Sequence, residues 1–195
     1  LHETTIVDLV DYPPATLGEH VTLITPPDRF PNGHFGATVQ LGDLDGNGRA
    51  ELVASAALDR AGAAVRLNGA PAGTGIGIGG IGRGSTFILW DTWFAPDQWV
   101  SGRVIAIDGV EPEISRITGG LRNAHLGEEL LAGADFDGNG QPDLFLGDIR
   151  GRGPNGASAG TGYVFFDAAT IRSRGFNVDE MPRDVRCTII HGVSA

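Results

Sequence analysis

GDLDGNGRAELV, residues 42–53, places an acidic or amide side chain at every second position and then turns through glycine into an apolar run. The oxygen-bearing residues are Asp43, Asp45, Asn47 and Glu51, with Gly46 and Gly48 between them. A solvated turn accepts some of these residues but does not require the whole pattern. The pattern also occurs twice. Residues 133–146, GADFDGNGQPDLFL, carry Asp135, Asp137, Asn139 and Asp143 at the same offsets, 92 residues further on.

The repetition extends outward from the loops. HFGATVQLGDLDGNGRAELVASAA (34–57) aligns with HLGEELLAGADFDGNGQPDLFLGDI (125–149), with one extra residue before the second loop. GRVIAIDG (102–109) resembles GYVFFDA (162–168), and VTLIT (21–25) recurs as ISRIT (114–118) and CTIIH (187–191). Each unit therefore reads as four short β runs: A before the loop, B after it, then C and D. Their length, β-branched content and glycine boundaries favour strands. Only Asp167 to Arg174 has room for a turn or two of helix. From the first loop aspartate to the glycine opening C is 59 residues in the first unit and 27 in the second. This predicts an insertion of 32 residues between B and C, within 58–101. The expected organisation is an N-terminal extension (1–20), a first repeat with its insertion (21–119), and a second repeat with the start of a truncated unit (120–195). Stacked repeats need neighbours to cover their faces, so further units of a longer parent chain are expected.

Composition agrees with many turns between short strands, since 31 of 195 residues are glycine, about twice ordinary usage. A formal net charge of −10 argues against nucleic acid, which needs a basic face, and suits bound cations. Cys187 is the only cysteine, so there is no disulfide framework or CxxC site. No apolar run approaches the ~18 residues of a membrane span. The start, LHETTIVDLVDYPP, lacks the basic and apolar regions of a signal peptide and an initiator Met, as expected of a mature form or a segment.

Counted from the first aspartate, each loop offers oxygen side chains at positions one, three and five and glycine at six. The backbone carbonyl of position seven (Arg49, Gln141) can turn inward, and a carboxylate follows at nine (Glu51, Asp143). Ca²⁺ takes six to eight oxygens in a flexible cage, which this spacing can supply. Three carboxylates in one loop repel one another without a cation. Mg²⁺ prefers fewer protein ligands, and Zn²⁺ would want His or Cys nearby. An EF-hand is excluded, because its twelfth-position Glu is replaced by Ala54 and Leu146 and helical flanks are missing.

With these motifs, the chain resembles the FG-GAP repeats of the integrin α-subunit β-propeller and its bacterial relatives. Phe35-Gly36 is the FG element, with Leu126-Gly127 in the second copy; the GAP-like positions are Ala54 to Ala57 and Leu146-Gly147-Asp148. Neither copy keeps Gly-Ala-Pro. The resemblance spans 21–191 apart from the insertion. It implies an all-β fold of four-stranded antiparallel blades, about two of them here, and calcium in each A–B loop. It also implies an extracellular or secreted setting, at the cell surface or in the periplasm, and a role in adhesion. Carried over residue by residue, one calcium site is Asp43, Asp45, Asn47, the Arg49 carbonyl and Glu51; the other is Asp135, Asp137, Asn139, the Gln141 carbonyl and Asp143.

Other features weigh less. GIGGIG (77–82) fits a dinucleotide fingerprint, but lacks the preceding strand and following helix and reads as a loop. Trp90, Trp93, Phe94 and Trp99 cluster in the insertion, either as packing or as a surface for protein or glycan. A B–C insertion would emerge opposite the calcium loops, so that face is where a partner is expected. His34 and His125 repeat in register and read as structural, and Cys187 as core. No catalytic triad stands out, so the expected function is non-enzymatic binding. The alternatives are a non-catalytic or substrate-binding part of a secreted hydrolase or lyase, and a structural spacer.

Overall fold

The computed structural model describes residues 23–25, 34–57, 82–94, 104–107, 113–120, 124–156 and 158–193. In chain order the strands are β1 (Leu23–Thr25), β2 (Phe35–Gly42), β3 (Glu51–Ala56), β4 (Ser85–Leu89), β5 (Val104–Ala106) and β6 (Ile114–Thr118). They continue with β7 (Leu126–Ala134), β8 (Asp143–Asp148), β9 (Thr161–Phe165), β10 (Gly175–Asn177) and β11 (Cys187–His191). The fold is all-β. Among the described residues the only helical pieces are 3₁₀ turns at Asp91–Phe94, Ala168–Ile171 and Val178–Glu180.

Two antiparallel sheets carry the two sequence repeats. The first runs β2-β3-β4-β6, and the second runs β7-β8-β9-β11. Each begins with the pair that flanks an acidic loop, with Gly42 opposite Glu51 and Ala134 opposite Asp143. The expected A, B and D runs fall on strands in both copies. The C run of the first copy falls on a strand outside that sheet. The third strand of the first sheet is Ser85–Leu89, inside the segment expected to be inserted, whereas Val104–Ala106 pairs in parallel with Leu23–Thr25 in a separate two-stranded sheet. Every residue of β4 is buried, which a central strand covered on both faces requires. The shared glycine and valine made 102–109 the better letter match; STFILWD (85–91) against TGYVFFD (161–167) is the structural one. The link from β3 to β4 is 28 residues against 12 from β8 to β9, so the extra length is 16 residues.

The sheets pack face to face. Leu44, Val53, Ile88, Trp90 and Ile117 of the first join Leu126, Leu130, Leu144, Leu146, Tyr163 and Phe165 of the second in one core. Burying a side chain of this size contributes about 1.5–3 kcal/mol. The opposite face of the first sheet forms a smaller cluster, with Ala56, Phe87, Leu89, Ile107 and Ile114 packed beside Ile24, Phe35 and Leu52. Along the seam, Thr38 Oγ1 donates to the Glu128 carbonyl at 2.8 Å, and the Ala132 N–H donates to Gln40 Oε1 at 3.2 Å. The connection from β9 to β11 then crosses over. Its strand β10 pairs in parallel with β6 and thereby lies on the first sheet.

Two consequences are measurable. Gly36 and Gly127 both take left-handed backbone conformations, at φ 82° and 93°. A Cβ on Gly36 would meet open space, whereas one on Gly127 would lie 2.6 Å from Thr86 Oγ1 and 2.8 Å from Ser55 Cβ across the seam. Gly36→Ala should cost about 1–2 kcal/mol of backbone strain. Gly127→Ala should cost a further ~1–3 kcal/mol from overlap, read as a larger drop in urea midpoint. Asp148 is buried, and its Oδ1 accepts from the His125 and Arg150 N–H groups at 2.9 and 3.0 Å. Burial raises its pKa above the ordinary 3.8. The folded state thus binds this proton more readily than the unfolded chain, and stability falls as pH rises through the window just above 3.8. Asp148→Asn should flatten the melting temperature over that window.

Candidate metal centre

Each acidic loop is held by its own carboxylates. Asp43 Oδ1 accepts from Asn47 N–H at 3.0 Å and its Oδ2 from Gly48 N–H at 2.8 Å, while Asp45 Oδ1 accepts from Asn47 N–H at 3.2 Å. The second loop repeats these bonds: Asp135 accepts from Asn139 at 3.1 Å and Gly140 at 2.9 Å, and Asp137 from Asn139 at 3.2 Å. The turn needs left-handed backbone at its glycines, with φ of 74° and 85° at Gly46 and Gly48 and of 74° and 83° at Gly138 and Gly140. The outcome is convergence. Carboxylate oxygens of Asp43, Asp45 and Glu51 lie within 4.8 Å of one another, and so do those of Asp135, Asp137 and Asp143.

The carboxylates at position nine are wholly buried. Both Asp143 oxygens have a partner, Oδ2 accepting from Phe136 N–H at 2.7 Å and Oδ1 from Asp167 N–H at 2.9 Å. Glu51 accepts from Leu44 N–H through Oε2 at 2.5 Å. Its Oε1 is buried and has no hydrogen-bond partner. Burial raises the Glu51 pKa above 4.5; the backbone N–H groups of Leu44 and Asp91 oppose the shift, and the Asp45 and Asp91 charges add to it. A buried unpaired carboxylate oxygen is costly unless a cation meets it. That oxygen, in a donor set made only of oxygens, suits a hard cation such as Ca²⁺.

The structure adds residues that the loop spacing did not reveal. Asp91 follows β4 by two residues and Asp167 follows β9 by two. The position-five amides turn to them. Asn47 Nδ2 donates to Asp91 at 3.2 Å and Asn139 Nδ2 to Asp167 at 2.8 Å, while their Oδ1 atoms accept from Arg49 and Gln141 N–H at 2.8 and 2.6 Å. Guanidinium groups complete both ends. Arg172 donates to Asp45 Oδ2 at 2.6 Å and to Asp91 at 3.4 Å, 5.1 Å from the Trp90 ring centroid. Arg186 donates to Asp137 Oδ2 at 2.9 Å and to Asp167 at 2.7 Å, 5.2 Å from the Phe166 ring centroid. The hydrogen bonds from Asn139 and Arg186 hold the Asp167 pKa below 3.8. The only sequence signal was the aromatic-Asp pair that follows both third strands, Trp90-Asp91 and Phe166-Asp167.

The aromatic residues expected on the far face are corrected by the same topology. The register puts the β2–β3 loop and the connection after β4 at one end of the sheet, with Leu41, Leu52, Leu89 and Ile114 level across it. The tryptophan-bearing stretch therefore starts beside the acidic loop, not opposite it. Trp90 is fully buried, and its Nε1–H donates to Ser115 Oγ at 2.8 Å, so it is core and not ligand surface. Trp93 and Phe94 lie in the 3₁₀ turn that begins at Asp91; Trp99 and, but for Gly82, the GIGGIG stretch lie outside the described residues. Among the described residues no helix is long and apolar enough to cross a membrane.

No protein-family model matches the chain, and no curated protein matches it. The packing role of Trp90 has a direct test in urea unfolding. Trp90→Ala should cost ~3–5 kcal/mol, whereas Trp90→Phe, which installs the residue type of the second sheet, should cost little beyond the hydrogen bond to Ser115, ~1 kcal/mol.

Proposed function

We propose that this chain is a calcium-binding, non-enzymatic module of two FG-GAP-type propeller blades, one in each sheet, belonging to a longer parent chain. It works outside the cell or at its surface, in adhesion or in binding a protein or glycan. The observation that carries the metal reading is the Glu51 Oε1 atom, a buried unpaired oxygen within a triad of converging carboxylates. The same triad at the same place in the second sheet supports it. The residues that would hold calcium are Asp43, Asp45 and Glu51 in one loop and Asp135, Asp137 and Asp143 in the other. Asn47, Asn139 and the carbonyls of Arg49 and Gln141 are the remaining oxygen donors of the two loops. Bound calcium would supply positive charge that ties the two strands of each loop together. The partner contact is inferred at the metal-loop end of the sheets, where the stretch after β4 begins.

Extracellular calcium modules bind in the 10⁻⁴–10⁻³ M range, and a hundredfold excess over Kd stabilises by ~2.7 kcal/mol per site. Calcium should raise the melting temperature well above that in EGTA. Asp43→Asn and Asp135→Asn should each remove about half of that shift, and magnesium should produce far less of it. A melt that ignores both calcium and EGTA would overturn the metal reading.

A further inference from the structure

We infer that Arg172 is a resident counter-cation of the first acidic loop, delivered by the second sheet, and that it holds down the affinity of that loop for a divalent cation. The inference rests on the metal reading above and goes further, to what sets the strength of the site. Arg172 lies 127 positions from Asp45 and directly follows the 3₁₀ turn Ala168–Ile171, in the connection between β9 and β11. Its guanidinium takes Asp45 Oδ2, reaches Asp91, and packs over the Trp90 ring. The connection is itself fastened to the first sheet. Ser115 Oγ donates to the Ile171 carbonyl at 2.7 Å, and Arg116 N–H to the Arg174 carbonyl at 2.9 Å. Arg172 therefore reaches the loop only when the two sheets are docked.

The charges at the first loop explain the effect. Asp43, Asp45, Glu51 and Asp91 bring four carboxylates, and Arg49, 3.6 Å from Asp91, joins Arg172 to return two positive charges. At the second loop Asp135, Asp137, Asp143 and Asp167 meet, among the described residues, one guanidinium, Arg186. Arg186 comes from the second sheet's own connection, one residue before β11, where the first sheet has Glu113 before β6. The first sheet thus lacks an arginine of its own there and borrows one. A divalent cation entering the triad shares Asp45 with the guanidinium and is repelled by it. The repulsion acts between full charges a few ångströms apart, whereas losing the Arg172 hydrogen bonds loosens only two carboxylates. The repulsion dominates. With Arg172 in place these groups keep a smaller excess of negative charge, two instead of three, and the buried Glu51 Oε1 still favours occupancy.

The test is calcium titration by calorimetry on the full chain at low salt, with Asp43→Asn identifying the first site. Arg172→Gln should tighten that site at least threefold and leave the second unchanged, and the gain should shrink in ~0.5 M NaCl. In EGTA the variant should melt below the native chain, and saturating calcium should close most of that gap. A purely structural salt bridge would leave the gap open and the affinity unchanged or weaker; either result overturns the inference. Arg172→Lys, which keeps the charge, should hold the native affinity within about twofold. It serves as the comparison if the glutamine variant does not fold, and a threefold tightening in it would overturn the inference. If the native chain binds no calcium, the metal reading fails separately. The counter-cation role then stands on the melt in EGTA alone: a salt-sensitive loss in Arg172→Gln supports it, and an unchanged melt overturns it.

Discussion

A carboxylate with no exposure to water stands at the first residue of the second strand in both sheets, Glu51 in one and Asp143 in the other. A buried charge is tolerated only where hydrogen bonds or opposite charge surround it, and much of each loop is arranged to provide them. Leu44 and Phe136 N–H groups turn back onto these carboxylates and close the loops on themselves. The glycines that permit this return, and the aspartates that brace it, follow from the same need. Converging carboxylates in turn demand positive charge, which connects the local loop to the rest of the molecule.

That demand is met differently at the two ends, although the loops superpose in their hydrogen bonding. The shorter Asp143 finds a second backbone donor in Asp167, while the longer Glu51 leaves one oxygen unpaired. The second loop takes its guanidinium from its own sheet, and the first takes one from its neighbour. Sequence repetition has therefore produced two sites alike in backbone and unlike in charge. The unlikeness arises where the sheets meet, so the charge at the first loop depends on a side chain that the second sheet's connection delivers.

The crossing connection between β9 and β11 is the element on which this arrangement depends. It contributes Ile171, Phe176 and Val178 to the core between the sheets, adds β10 to the edge of the first sheet, and carries Arg172 to the first loop. Its apolar residues and its charged one work on different scales. Burial fixes where the connection lies, and the ion pair, a third exposed at the arginine, adds little to stability by comparison. The arginine matters for the charge at the loop more than for the hold between the sheets.

The sequence by itself determined the elements whose information is local. Alternating carboxylates, glycine at position six and a short apolar-bearing run on either side mark the loops and their flanking strands, because turn chemistry and strand period act over a few residues. It also determined that three carboxylates would meet in each loop. Tertiary structure decided which run became the third strand of the first sheet, since both candidates have strand character and only the pairing of Leu52 with Leu89 selects one. That choice moved the tryptophan-bearing stretch to the loop end and turned Trp90 inward. It also brought in Asp91, Arg172 and their counterparts. Those residues sit 19 to 127 positions from their partners, and charge complementarity at such separations leaves no pattern in a single sequence until the chain has folded.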